Sequence, residues 1–185
     1  SMAAAARAAD VAIVAGDTKV VERGKADGVY VTTTGIGVVR AGVDVRPARA
    51  APGDAVLVTG SIGRHGVAVM SVRDDVGFGT SVTSDSAPVH QLAAALFDAA
   101  IDVHVLRDPT RGGVAAALNE IAAASATGMV LADESLPIDT EVSSACALMG
   151  IDPLQVANEG RLLVIVADSD AERALATLRA TPGGE

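Results

Sequence analysis

The densest run of functional groups in this chain is Arg107-Asp108-Pro109-Thr110-Arg111-Gly112-Gly113. Two guanidinium groups suit bidentate contact with phosphate. Asp108 is a hard oxygen donor of the kind that holds a magnesium ion carrying phosphates. Gly112 and Gly113 remove side chains where the next helix begins, so free N–H groups and the positive helix end would face an anion. Pro109 biases Asp108 toward extended backbone, and Thr110 or Asp108 can cap the helix. The same residues also read as a capped turn with solvated charges. Gly16-Asp17-Thr18-Lys19 sets a carboxylate, a hydroxyl and an ammonium side by side, groups that a nucleotide–magnesium site uses, although it also reads as an ordinary turn. Glu159, in Asn158-Glu159-Gly160, is a general base if partly buried and otherwise part of a turn. Gly60, Gly63 and Gly66 lack the Gly-Lys-Ser/Thr ending of a P-loop, so they serve backbone geometry first, with His65 either structural or facing a ligand. Cys146 shares a helical face with Val142, Ala145 and Met149, which makes it a buried structural thiol.

Around these groups the hydrophobic pattern predicts the elements. Helical faces run through Ala3 to Ala9, Val67 to Arg73, Leu92 to Ala99, Val114 to Ala124 (ended by Gly128), Glu141 to Met149 (ended by Gly150) and Ala171 to Leu178. Strands are expected at Val11–Val14, Val29–Thr34, Ala55–Thr59, Val103–Leu106, Met129–Ala132 and Leu162–Val166. Gly77 to Pro88, with Ser84-Asp85 inside it, reads as a loop. Strands alternate with helices without a strict βαβ rhythm, which predicts an α+β fold built on a layered mixed sheet. Residues 1–40 hold too few elements to bury a core of their own and read as the end of a domain whose beginning is missing; residues 41–185 read as an α+β domain.

Composition narrows the function. A net charge of −9 argues against a nucleic-acid surface. No apolar run approaches a membrane span and no signal peptide is visible, so a cytoplasmic protein is expected. The single cysteine excludes an internal disulfide. Aromatics are only 2% of residues, so Ala, Val, Leu and Ile must build the core.

Four segments recur together in one known family: Gly16 to Val21; Gly63 to Gly66 with Met70; Arg107 to Gly113 with Leu118-Asn119-Glu120; and Asp152-Pro153-Leu154 with Ala157 to Gly160. On these the chain resembles the HypE family of hydrogenase maturation proteins, relatives of aminoimidazole ribonucleotide synthetase. The Arg-Asp-Pro-Thr-Arg-Gly-Gly run is the most specific part. The resemblance implies an ATP- and Mg2+-dependent dehydratase that converts a carbamoyl group on a C-terminal cysteine to a thiocyanate, the cyanide source for [NiFe] hydrogenases. It implies a homodimeric parent working with carbamoyl-transferase and iron–cyanide assembly proteins. By position, Asp17 and Asp108 would contact the metal or the nucleotide phosphates. Thr18, Lys19, Arg107, Thr110, Arg111, Gly112 and Gly113 complete the nucleotide site. Lys19 and Glu159 would transfer protons or orient the carbamoyl group.

Two departures stand out. The family's reactive cysteine is the last residue, whereas this chain ends at Glu185, and most of the family's N-terminal domain has no counterpart here. The expectation is therefore an internal fragment that does not complete the reaction alone. Two other functions fit the same residues: an ATP-dependent phosphotransferase or synthetase of the superfamily, and a non-catalytic binding or assembly domain.

Overall fold

The computed structural model describes residues 2–73 and 82–184. It divides into two compact units, residues 1–43 and 44–185. The first holds helix α1 (Met2–Ala8), closed by Val11 N–H donating to Ala6 O at 2.9 Å. Beyond it lie turns and irregular backbone with no strand among the described residues. The strands expected at Val11–Val14 and Val29–Thr34 do not form. Their β-branched residues favour extended backbone, but a strand also needs a neighbour for its N–H and C=O groups. Val14, Val20, Val29 and Ile36 all stand exposed.

The second unit is α+β. Its elements are β1 (Ala55–Val58), α2 (Arg64–Arg73), α3 (His90–Asp98), β2 (Val103–Arg107), α4 (Gly113–Ser125), α5 (Thr140–Met149), β3 (Leu163–Val166) and α6 (Ala171–Arg179). The expected loop Gly77–Pro88 lies partly outside the described residues. At Met129–Ala132 no strand forms, and Val130 is exposed. The sheet order is β1-β3-β2. Where a mixed sheet was expected, both pairings are antiparallel. The reason is topological: β1 and β2 run the same way, and the last strand inserts between them.

Alternation along β3 separates two cores. Leu163 and Ile165 pack with Val105 of β2 and with Val114, Ala117, Leu118 and Ile121 of α4. Val164 and Val166 pack with Val103 and with Leu92 and Leu96 of α3 and Ala174 and Leu178 of α6. Val103 and Val105 serve opposite faces although they are two residues apart. A bulge between them makes this possible, since the extra residue, His104, shifts the register. A third cluster joins Val67 of α2 to Val142, Ala145 and Cys146 of α5 and to Val156.

Two boundaries differ from expectation. Helix α4 stops at Ser125, with Ala126 left-handed at φ 55°, before Gly128 is reached. Ser125 Oγ donates to Ile121 O at 2.8 Å, a local bond that competes with helix continuation. Helix α5 does end at Gly150, left-handed at φ 67°.

Candidate functional site

The site grows from Asn158, which is 1% exposed between two apolar runs. A buried amide must find partners, and this one has three. Its Oδ1 accepts from Gly63 N–H at 2.7 Å. Its Nδ2 donates to Pro109 O at 2.9 Å and to Val156 O at 3.0 Å. Its own N–H donates to Pro109 O at 3.2 Å. One side chain therefore ties the Gly60–Gly66 loop and the Arg107–Gly113 loop to the segment carrying Glu159.

Glycines allow the same closeness. A Cβ on Gly66 would meet Val156 and the backbone of Ala157, and Gly66 N–H donates to Ala157 O at 3.0 Å. A Cβ on Gly160 would strike the backbone of Asp85 and Ala87. Gly113, at φ 64°, faces the carbonyl oxygens of Leu154 and Val156, so protein backbone occupies the space its side chain leaves free.

The Arg107–Gly113 loop is an ordered surface network. Arg107 reaches Asp108 Oδ1 at 2.7 Å and Glu120 Oε2 at 3.1 Å. The bond to Glu120, aided by the charge of Asp108, holds the Arg107 pKa above its ordinary value. Thr110 Oγ1 donates to the other oxygen of Asp108 at 2.8 Å. Neither residue caps α4. The N-cap is Gly112, left-handed at φ 70°, without a side-chain bond, because Thr110 and Asp108 satisfy each other instead. Arg111 is exposed, with no ion pair among the described residues. Asp17, Thr18 and Lys19 belong to the first unit and are exposed; Thr18 N–H donates to Asp17 Oδ1 at 2.8 Å.

Glu159 keeps 39% side-chain exposure. Its N–H donates to Asp85 Oδ1 at 3.2 Å. The other oxygen of Asp85 is buried without a hydrogen bond and faces Arg161 Nε at 3.8 Å. Arg161 Nε in turn donates to Ser61 O at 3.1 Å. His65 lies beside Glu159, with Nε2 3.9 Å from Oε1. A cleft of about 360 Å³ opens next to it, lined by His65, Met70, Ile151, Gln155, Val156 and Ala157 among others. The reading of Glu159 as part of a turn misses Asn158, Asp85 and Arg161 as its supports. The one local signal was a polar residue, Asn158, set between apolar stretches. Cys146 is fully buried; burial, with the nearby charge of Asp152, raises its pKa. It is structural, as its spacing predicted.

A three-strand antiparallel sheet backed by helices, with glycine-bearing loops gathered on one buried amide, defines an α+β domain. The family model described as AIR synthase related protein, C-terminal domain, matches residues 51–183, and the chain belongs to that family. The particular relatives are hydrogenase maturation proteins. The chain is 54% identical over 184 residues to the carbamoyl dehydratase HypE of Cupriavidus necator, covering 100% of this chain and 52% of that protein. It is similar to the solved structure of a HypE–HypF complex, at 44% identity and a TM-score of 0.91, covering 99% of this chain and 60% of that one. A HypE solved in complex with ATP gives 42% identity and a TM-score of 0.86, covering 99% and 55%. The chain spans about half the length of the curated relatives it matches. Among the described residues, no helix is long and apolar enough to cross a membrane.

Proposed function

We propose that this chain carries part of an ATP-dependent carbamoyl dehydratase that makes a protein-bound thiocyanate during [NiFe] hydrogenase maturation. The observation that carries the reading is similarity along the whole chain to a carbamoyl dehydratase HypE. The reaction turns a cysteine S-carbamoyl group into an S-cyano group. ATP takes up the carbonyl oxygen as phosphate, and the nitrogen gives up both protons to become a nitrile. A base is therefore needed, and Glu159 is that base, with Lys19 orienting the carbamoyl group or passing a proton. Asp17, Thr18, Lys19, Arg107, Asp108, Thr110, Arg111, Gly112 and Gly113 hold the nucleotide, and residues 1–40 belong to its ATP-binding, dimerising part.

The donor set fits magnesium only in company. Among the described residues no three carboxylate, histidine or cysteine groups gather to hold a metal ion. Magnesium is commonly held by one or two carboxylates plus substrate phosphates, and in this proposal Asp17 and Asp108 would be those carboxylates. Held by Asp17 and Asp108, magnesium would supply positive charge to neutralise the nucleotide phosphates. The solved HypE complexes with ATP and with HypF support ATP and a HypF-type carbamoyl transferase as partners; iron–cyanide assembly proteins, a cytoplasmic setting and a homodimeric working protein complete the proposal.

The test uses the protein at the full length of its relatives. ADP and phosphate should form in step with thiocyanate, and only when the cysteine is carbamoylated. Asp108→Asn should weaken magnesium-dependent turnover without altering the fold. Arg111→Ala should cost about 1.5–3 kcal/mol in phosphate binding, a charge-assisted hydrogen bond's worth. A phosphorylated small molecule as product would replace this reading with a phosphotransferase, and nucleotide-independent behaviour would replace it with an assembly module.

A further inference from the structure

We propose that His65, itself fixed by Ser84, positions the carboxylate of Glu159; the inference rests on the role of Glu159 proposed above. The two residues come from distant parts of the chain, and the backbone on each side is tied down. Gly66, next to His65, donates its N–H to Ala157 O at 3.0 Å. Gly63 N–H is held by Asn158 Oδ1, and Glu159 N–H by Asp85 Oδ1. His65 and Glu159 thus face each other across a junction whose backbone is hydrogen-bonded on both sides.

Ser84 holds one ring nitrogen of His65, and the proposal assigns the imidazole hydrogen to the other. Ser84 Oγ accepts Ser86 N–H at 3.1 Å and lies 2.9 Å from His65 Nδ1. A hydroxyl that donates its proton to Nδ1 leaves the imidazole hydrogen on Nε2, the nitrogen 3.9 Å from Glu159 Oε1. That distance is within ion-pair range and a small movement short of a hydrogen bond. The other charges nearby are committed elsewhere. Asp85 serves Glu159 N–H and Arg161, and Arg64 pairs with Asp139 at 2.5 Å. Among the described residues, Glu159 is therefore the carboxylate left for His65, and His65 is the ring that can set its angle.

The experiment has two arms. In this chain, long-range nitrogen–proton NMR correlations should show His65 protonated on Nε2. In the protein at the full length of its relatives, His65→Ala should lower kcat roughly 10- to 100-fold, the scale of a misplaced reacting group. The KM for ATP should stay within about twofold, as expected when ground-state binding is untouched. His65→Gln, which can still present a donor near the Nε2 position, should recover much of that loss, and His65→Asn should not. A proton on Nδ1 instead of Nε2 overturns the proposal, as does full activity in His65→Ala when Glu159→Gln is inactive. Full activity in Glu159→Gln instead removes the base itself and overturns the proposed function with it.

Discussion

The loop Arg107–Gly113 and the segment Val156–Arg161 differ in a way the residue types alone conceal. The first carries the charges, yet its charged side chains lie at the surface and bond mainly to one another. The second reads as a plain turn, yet Asn158 holds both glycine-bearing loops and Gly160 lets another backbone press against it. Charge density therefore marks where a ligand can be met. Burial of a satisfied amide marks what holds the meeting place in shape. An exposed ion pair contributes little to stability because water competes for it, whereas a buried amide that loses its partners leaves groups unsatisfied.

Substitutions in the two regions should break this contrast apart, beginning with Asn158. Asn158→Ala leaves Gly63 N–H unpaired and weakens the hold on Pro109 O, and should cost about 3 kcal/mol or more. Urea unfolding that shows a lower midpoint with an unchanged slope would record it; a loss below about 1 kcal/mol would mean that water replaces the amide. Gly160→Ala comes next, at about 2 kcal/mol, because the new methyl must push aside the backbone of Asp85 and Ala87. Its amide spectrum should change around Glu159 and Asp85 and leave Arg107–Gly113 unmoved.

Glu120→Ala removes one partner of Arg107 in the charged loop and should cost less than about 1 kcal/mol, with the difference shrinking further in high salt. A cost as large as that of Asn158→Ala would erase the distinction between the regions.

The smallest effect belongs to a third place, the bulge at His104. There His104 Nδ1 meets Asp54 at 2.7 Å and Arg49 meets Asp102 at 2.9 Å. The hydrogen bond from Arg49, helped by His104, lowers the Asp102 pKa. A depressed carboxylate contributes stability that is complete above its unfolded value of about 3.9 and disappears as pH falls through the lower folded value. Asp102→Asn should therefore flatten the acid limb of the stability curve slightly below about pH 4, by well under 1 kcal/mol, since the side chain is mostly exposed. Acid unfolding of the two proteins side by side is the check.

What was legible in the sequence is what local periodicity controls. The stripe Val114, Ala117, Leu118 and Ile121 specified α4, the run Leu163–Val166 specified a buried strand, and the spacing of Cys146 placed it in a core. These patterns work because neighbours a few residues apart share a face whatever the rest of the chain does. The apolar runs at Val11–Val14 and Val29–Thr34 show the limit, since a strand exists only where another backbone answers it. The tertiary structure alone decided that His104 is the extra residue of a bulge, that Gly113 makes room for backbone, and that Asn158 joins Gly63 to Pro109. The two contacts of Asn158 span 95 and 49 residues. No window of sequence contains both ends of such a bond, and the amide is satisfied only when the intervening sheet and helices have closed around it.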